Sequence, residues 1–245
     1  MSFNISIMSY NIEGLTLEHN YRTNHSLKSY IAEKSIYLNA YLSNSGIDII
    51  AIQEYTPILN ISLSEYYHVA QSGNAIFYSK SKFAYVSHSS DANGLSVIMS
   101  VLAASDLPIT VHCHRLPPYT CNDKIRATYM ATIDNLAKDK LFIFASDTNM
   151  RKCEETILDN LIDCWHYTSS KSNQMYTIDK KSNPYFSGDS SLTITSRYDK
   201  IFCTDLFSCK NLTVVHPLSD SKLCHPIYPY GNISDHYPII AILSL

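Results

Sequence analysis

The chain has 245 residues, 45% of them hydrophobic, and its 19 Lys and Arg against 22 Asp and Glu leave a formal net charge of −3 at pH 7. Such a composition supports a sizeable buried core and excludes an intrinsically disordered chain, while the slight acidity excludes a protein that coats long nucleic acid through a strongly basic face. Residues 115–200 carry 12 Lys and Arg against 11 Asp and Glu, which leaves room for a locally basic groove.

The opening MSFNISIMSYNIEG lacks a basic segment followed by an apolar one, and no later stretch is an uninterrupted apolar run of membrane-spanning length. Seven cysteines, odd in number and without a C-x-x-C pair, fit a reduced compartment. The expectation is a soluble cytosolic or nuclear protein, not secreted, working as a monomer and without a membrane. The sequons at Asn60 and Asn211 are then coincidences in a chain rich in Asn and Ser. No stretch rich in Pro, Gly or charge offers a linker, so residues 1–245 are expected to form one domain.

In chain order, residues 5–10 are a strand-length apolar run, followed by Asn11-Ile12-Glu13-Gly14. An Asn after a strand can orient a metal-bound oxygen or simply turn the chain. Residues 26–42 place Leu27, Tyr30, Ile31, Ile36, Leu38 and Leu42 at mostly helical intervals, which predicts an amphipathic helix. A second strand at 47–52 ends in Gln53-Glu54. An acid closing an apolar run must be solvated, paired or bound to a cation, because desolvating a carboxylate is costly. Strands follow at 74–78, 96–102 and 109–114, the last with His112 and His114 on one face. The cysteines supply no zinc-ligand spacing beside these histidines, so an imidazole next to a phosphate is the better reading, with at least one of the two an ordinary half-exposed strand histidine.

A second helix at 123–137 carries Ile125, Tyr129, Ile133, Leu136 and Ala137 on one face. The apolar run 141–145 leads into Ser146-Asp147-Thr148-Asn149-Met150-Arg151, where an Asp and an Asn two apart can orient a water and a phosphate oxygen. Arg151 is a candidate phosphate ligand. The last strands are 197–203, with Arg197-Tyr198-Asp199 at its start, and 237–243, preceded by Ser234-Asp235-His236. Strands interleaved with helices define an α/β protein, with polar clusters at the strand ends.

In order and rough spacing, N-x-E-G, Q-E, a strand-borne His, S-D-x-N, R-Y-D-x-I and S-D-H resemble the motifs of the endonuclease/exonuclease/phosphatase superfamily, also called DNase I-like. Within it the chain is most similar to type 2 tyrosyl-DNA phosphodiesterases, which remove tyrosine from the 5′ phosphate of DNA trapped on a topoisomerase. Met8-Ser9-Tyr10-Asn11-Ile12-Glu13-Gly14-Leu15 resembles that family's T-W-N-x-D-G-L, and the segment from Ser146 to Arg151 its G-D-T-N-L-R. Asp163-Cys164-Trp165 resembles its D-x-W, Tyr176-Thr177-Ile178-Asp179 its Y-T-W-D, and Arg197-Tyr198-Asp199-Lys200-Ile201-Phe202 its R-F-D-R-I-F. Departures are Ser146 for a Gly, Tyr10 for a Trp, Tyr237 in place of the Trp of S-D-H-W, and His114-Arg115-Leu116-Pro117 for H-L-E-S, a frame chosen because Arg126 then falls near the expected distance downstream.

The resemblance implies a four-layer α/β sandwich, two central mixed sheets flanked by helices, and a Mg²⁺- or Mn²⁺-dependent phosphodiesterase acting on a nucleic-acid end with a phosphate-linked adduct. Glu54 would hold the metal with Asn11 and Asp235 beside it. Asp147 would activate water, Asn149 hold the phosphate, His236 and His114 donate to its oxygens, and Asp199 orient a His. Arg151, Arg115, Tyr10 and Asn11 would meet the substrate. Alternatives are an apurinic-site endonuclease, a 3′-exonuclease or a 2′,5′-oligonucleotide phosphodiesterase, then a lipid or inositol phosphate hydrolase, then a non-catalytic adaptor.

Overall fold

The computed structural model describes residues 3–14, 27–91, 94–155, 158–167, 176–180, 183, 194–215 and 234–245. In order they form β1 (Asn4–Asn11), α1 (Leu27–Ser43), β2 (Ile49–Gln53), β3 (Tyr66–Gln71), β4 (Asn74–Ser79), β5 (Phe83–Asp91), β6 (Gly94–Val101) and β7 (Ala104–Arg115). Then come α2 (Asp123–Ala137), β8 (Leu141–Asp147), β9 (Ile162–Asp163), β10 (Ile178–Asp179), β11 (Thr195–Ser196), β12 (Asp199–Cys203), β13 (Ser208–Val214) and β14 (Ile239–Ser244). Among the described residues no helix is long and apolar enough to cross a membrane.

Alternation along the strands builds the layers. One six-stranded sheet runs β13-β14-β1-β2-β4-β3 and another β5-β6-β7-β8-β12-β9. Each is mixed, with a parallel pair at its centre, β1 beside β2 and β7 beside β8. Ile5, Ile7, Ile49 and Ala51 of the first sheet face Val111, Cys113, Ile143 and Ala145 of the second through one apolar layer. The alternate residues Met8, Tyr10, Ile50 and Ile52 turn outward under Leu38, Tyr41 and Leu42 of α1. Phe142, Phe144 and Phe202 turn outward under Tyr129, Met130, Ile133 and Ala137 of α2. Helix, sheet, sheet and helix make the four-layer α/β sandwich that the resemblance implied. Each large side chain buried in these layers contributes ~1.5–3 kcal/mol.

All eight strands expected from the sequence are present, with ends shifted by a few residues, and α2 spans the expected residues. Residue 26, the expected start of the first helix, lies outside the described residues. Three longer strands, β3, β5 and β13, carried no apolar signal because they are sheet edges with mostly exposed side chains. Two expected face residues of α2, Ile125 and Leu136, are instead exposed, because the buried stripe runs through Arg126, Tyr129, Met130, Ile133 and Ala137. Ile36 of α1 is exposed likewise.

Candidate active site

The parallel pairs in the two sheets bring four strand ends to one rim. β1 ends at Asn11, β2 leads into Glu54, β7 ends at Arg115 and β8 ends at Asp147. Gln53 locks the sheets together just beneath, its side-chain amide donating to Ser9 Oγ at 3.1 Å on its own sheet and to Ala145 O at 3.2 Å on the other. Glu54 follows with a left-handed φ of 55°, which turns its carboxylate into the rim. Its carbonyl packs against Gly14, where a Cβ would sit 2.1 Å from Glu54 O. That contact explains the glycine of the N-x-E-G segment.

Asn11 ties the acids together. Its Nδ2 donates to Glu54 Oε1 at 3.2 Å and Asp147 Oδ2 at 3.0 Å, while its Oδ1 accepts the Glu13 N–H at 2.8 Å. With every polar atom of the amide engaged by protein, Asn11 bridges and orients the carboxylates here. Ser234 Oγ donates to Asn11 O at 2.7 Å and accepts the His236 N–H at 3.1 Å, which joins the two ends of the chain at the site.

Across β8 and β12, Asp147 pairs in register with Asp199. Ligand atoms of Asp147, Asp199 and His236 all lie within 4.8 Å of one another, and all three residues are buried. His236 Nδ1 is 2.7 Å from Asp199 Oδ2, and its Nε2 is 3.8 Å from Asp235 Oδ1. Burial opposes charge on this imidazole, yet the carboxylates of Asp199, Asp235 and Asp147 together raise it well above the usual histidine value. The same crowding acts on Asp147. Burial pushes it up to about 6, with Asp199 adding and His236, Arg115 and Asn11 opposing. Asn149, at a φ of 48°, cradles this acid by donating its backbone N–H to Oδ1 and its Nδ2 to Oδ2, both at 3.0 Å.

Two sequence expectations do not survive the strand geometry. On β7 the inward positions are Cys113 and Arg115, so His114 lies on the opposite face, its ring stacked on Tyr129 of α2 at 4.9 Å. Burial, with Arg115 adding and Asp91 opposing, pushes His114 down to about 4. Arg115 takes the inward place instead, its Nε 2.7 Å from Glu54 Oε1 and 3.7 Å from Asp147 Oδ2. On β1 the same alternation turns Asn11 inward and Tyr10 outward, fully buried and edge-on to Tyr41 of α1 at 6.5 Å. Tyr10 is therefore a core residue packed under α1. Arg151, partly exposed, lies beside the Asn149 turn and contacts Glu154 at 3.2 Å.

The donor set suits a hard divalent cation. Glu54 Oε2, Asp199 Oδ1 and Asp235 Oδ1 are buried oxygens that accept no hydrogen bond among the described residues. Unmatched carboxylate oxygens are the ligands that Mg²⁺ and Mn²⁺ prefer. Glu54 and Asp235 also share a neighbouring cation that sequence reasoning missed. Lys34 of α1 is buried with its ammonium 3.4 Å from Glu13 O, and although burial lowers its pKa, Glu13, Asp235 and Glu54 oppose that shift. Thr177 was missed as well, and its Oγ1 accepts the N–H groups of Tyr198 and Asp199 at 3.0 and 3.1 Å. Its place in the quoted Y-T-I-D segment was the available signal.

No family model and no curated protein matches the sequence. Solved structures do match, and they show the fold, a DNase I-like α/β sandwich. TDP2 of D. rerio, complexed with single-strand DNA product, aligns with a TM-score of 0.78 at 18% identity over 98% of each chain. A truncated TDP2 of Caenorhabditis elegans aligns at 0.73 and 19% identity over 99% of this chain and 98% of that one. The mannosyl-6-phosphatase Bt3783 of Bacteroides thetaiotaomicron aligns at 0.69 and 14% identity over 98% of this chain and 99% of that one.

Proposed function

We propose that this protein is a divalent-metal-dependent phosphodiesterase that hydrolyses a phosphate ester at a nucleic-acid end by direct water attack, with a 5′-tyrosyl-DNA or protein-linked RNA end as substrate. The observation that carries the reading is the environment of Asp147, a buried acid held by two amides beside a histidine that three carboxylates keep charged. TDP2 with a single-strand DNA product supports the nucleic-acid end as the substrate class. The broader features of the reading are a soluble monomer of the cytosol or nucleus that acts without a membrane.

Glu54 and Asp235 would hold a Mg²⁺ or Mn²⁺ ion, with Asn11 orienting Glu54, and the ion would supply Lewis acidity for the phosphate and the leaving oxygen. Asp147 orients the attacking water and takes its proton, a task suited to an acid pushed up to about 6. Asn149 holds Asp147 by two hydrogen bonds and lines the phosphate's approach. His236, kept cationic and fixed through Nδ1 by Asp199, presents Nε2 to a non-bridging oxygen as negative charge grows there. Arg115 and Arg151 add cationic contacts to phosphate. A phenolate leaves readily, so no strong acid need stand behind it.

Mg²⁺-dependent release of tyrosine from a 5′-tyrosyl oligonucleotide tests the reading. Cleavage of a plain abasic duplex without tyrosine release would transfer the site to an apurinic-site endonuclease reaction.

A further inference from the structure

Arg126 has no part in the chemistry above, yet its guanidinium is fully buried. Nε and Nη2 donate to Glu154 Oε2 and Oε1 at 2.7 and 2.8 Å, and Nη1 donates to Pro117 O and Tyr119 O, both at 2.8 Å. Glu154 Oε1 also accepts from Arg151 Nη1 at 3.2 Å. One ion pair, buried on its arginine side, therefore grips two segments. The first follows Arg115 and runs along Leu116, whose N–H donates to Asp147 O and whose carbonyl accepts Asn149 Nδ2, each at 2.9 Å. The second begins at Arg151.

The grip holds a backbone that would otherwise relax. Tyr119 sits at φ 74° and ψ 151°, a region that is nearly glycine-only. Its carbonyl is one of the two that Arg126 holds. A planar fork serves four acceptors here, which a lysine ammonium cannot reproduce. Glu154 is shared by two guanidinium groups, so Arg151 retains positive character toward the adjoining groove of about 600 Å³, which Arg151, Lys152 and Arg197 help to line.

We infer that Arg126 and Glu154 are positioning residues that set Arg151, beside the Asp147 turn, to bind a phosphate of the nucleic-acid strand next to the one cleaved. This inference rests on the proposed function for its substrate, and its binding arm is read without turnover.

The test compares Arg126→Lys and Glu154→Gln with the unaltered protein. One substrate is a 5′-tyrosyl oligonucleotide and the other the 4-nitrophenyl ester of thymidine 5′-monophosphate, which has no adjoining phosphate. Both variants should raise KM for the oligonucleotide about tenfold, the worth of one charge-assisted hydrogen bond, with kcat unchanged within about threefold. Neither should shift KM for the small ester. Fluorescence anisotropy with a single-stranded oligonucleotide should show a salt slope lower by about 0.7 for each phosphate that is no longer neutralised. If Arg126→Lys fails to fold, the smaller change Glu154→Gln carries the same expectation. Folded variants with unchanged anisotropy and salt slope would overturn the inference, as would equal loss of kcat on both substrates. If the unaltered protein releases no tyrosine, the proposed function fails, and the anisotropy arm still decides the role of Arg126.

Discussion

His236 Nδ1 lies 2.7 Å from Asp199 Oδ2, and Asp199 in turn pairs across β12 and β8 with Asp147. The imidazole proposed to face the phosphate and the carboxylate proposed to activate water are thus tied together through adjacent sheet strands. Replacing Asp199 by Asn removes the nearest charge that keeps His236 protonated and keeps the shape. Steady-state kinetics should show kcat lower by about 100-fold with KM little changed. A loss confined to KM would place Asp199 in substrate binding instead.

Asn11 is a neutral amide that donates to both Glu54 and Asp147. Asn11→Ala leaves buried carboxylate oxygens short of donors and should lower unfolding stability by about 1–3 kcal/mol in denaturant titrations. Asn11→Asp adds a like charge at the same point and should be the less stable and less active of the two. The reverse order would contradict a bridging role.

Gly14 leaves no space for a side chain. A methyl there would lie 2.1 Å from the Glu54 carbonyl, so Gly14→Ala must displace the turn that presents Glu54. The expected result is a stability loss of about 1–3 kcal/mol or more, with weaker Mg²⁺ binding by calorimetry. Unchanged metal binding would show that the two turns move independently.

His114 makes a pH prediction with a definite sign. Its folded-state pKa of about 4 lies below the ordinary histidine value of 6.5, so between these values the unfolded chain holds more protons. Its contribution is fully present above pH 6.5 and is lost progressively as pH falls toward 4. The slope is at most about 1.4 kcal/mol per pH unit. His114→Phe keeps a ring against Tyr129 and should flatten urea-measured stability over that window while retaining activity. A large fall in kcat at neutral pH would return His114 to the catalytic set.

The sequence was most legible where strands are buried on both faces. The apolar runs of β1, β2, β7 and β8 announced themselves, and so did the polar residues that follow them. Facing was not legible, for the same reason. On β7 both Val111 with Cys113 and His112 with His114 are covered, the first pair by the other sheet and the second by α2, so polarity does not mark the inner side. The assignment of His114 and Tyr10 to the site failed on that ambiguity, and Arg115 took the inward position. The Arg126–Glu154 pair was invisible because its partners, Pro117, Tyr119 and Arg151, meet only after α2 packs on its sheet.

Hydrolysis of a 5′-tyrosyl oligonucleotide in ¹⁸O-labelled water, with Mg²⁺ and a single turnover, is the most direct test of water attack at this site. The expected result is one labelled oxygen in the 5′ phosphate and none in the released tyrosine, lost in both Glu54→Gln and Asp147→Asn. Label in the tyrosine hydroxyl, a covalent adduct between protein and nucleic acid, or full activity in both variants would contradict it.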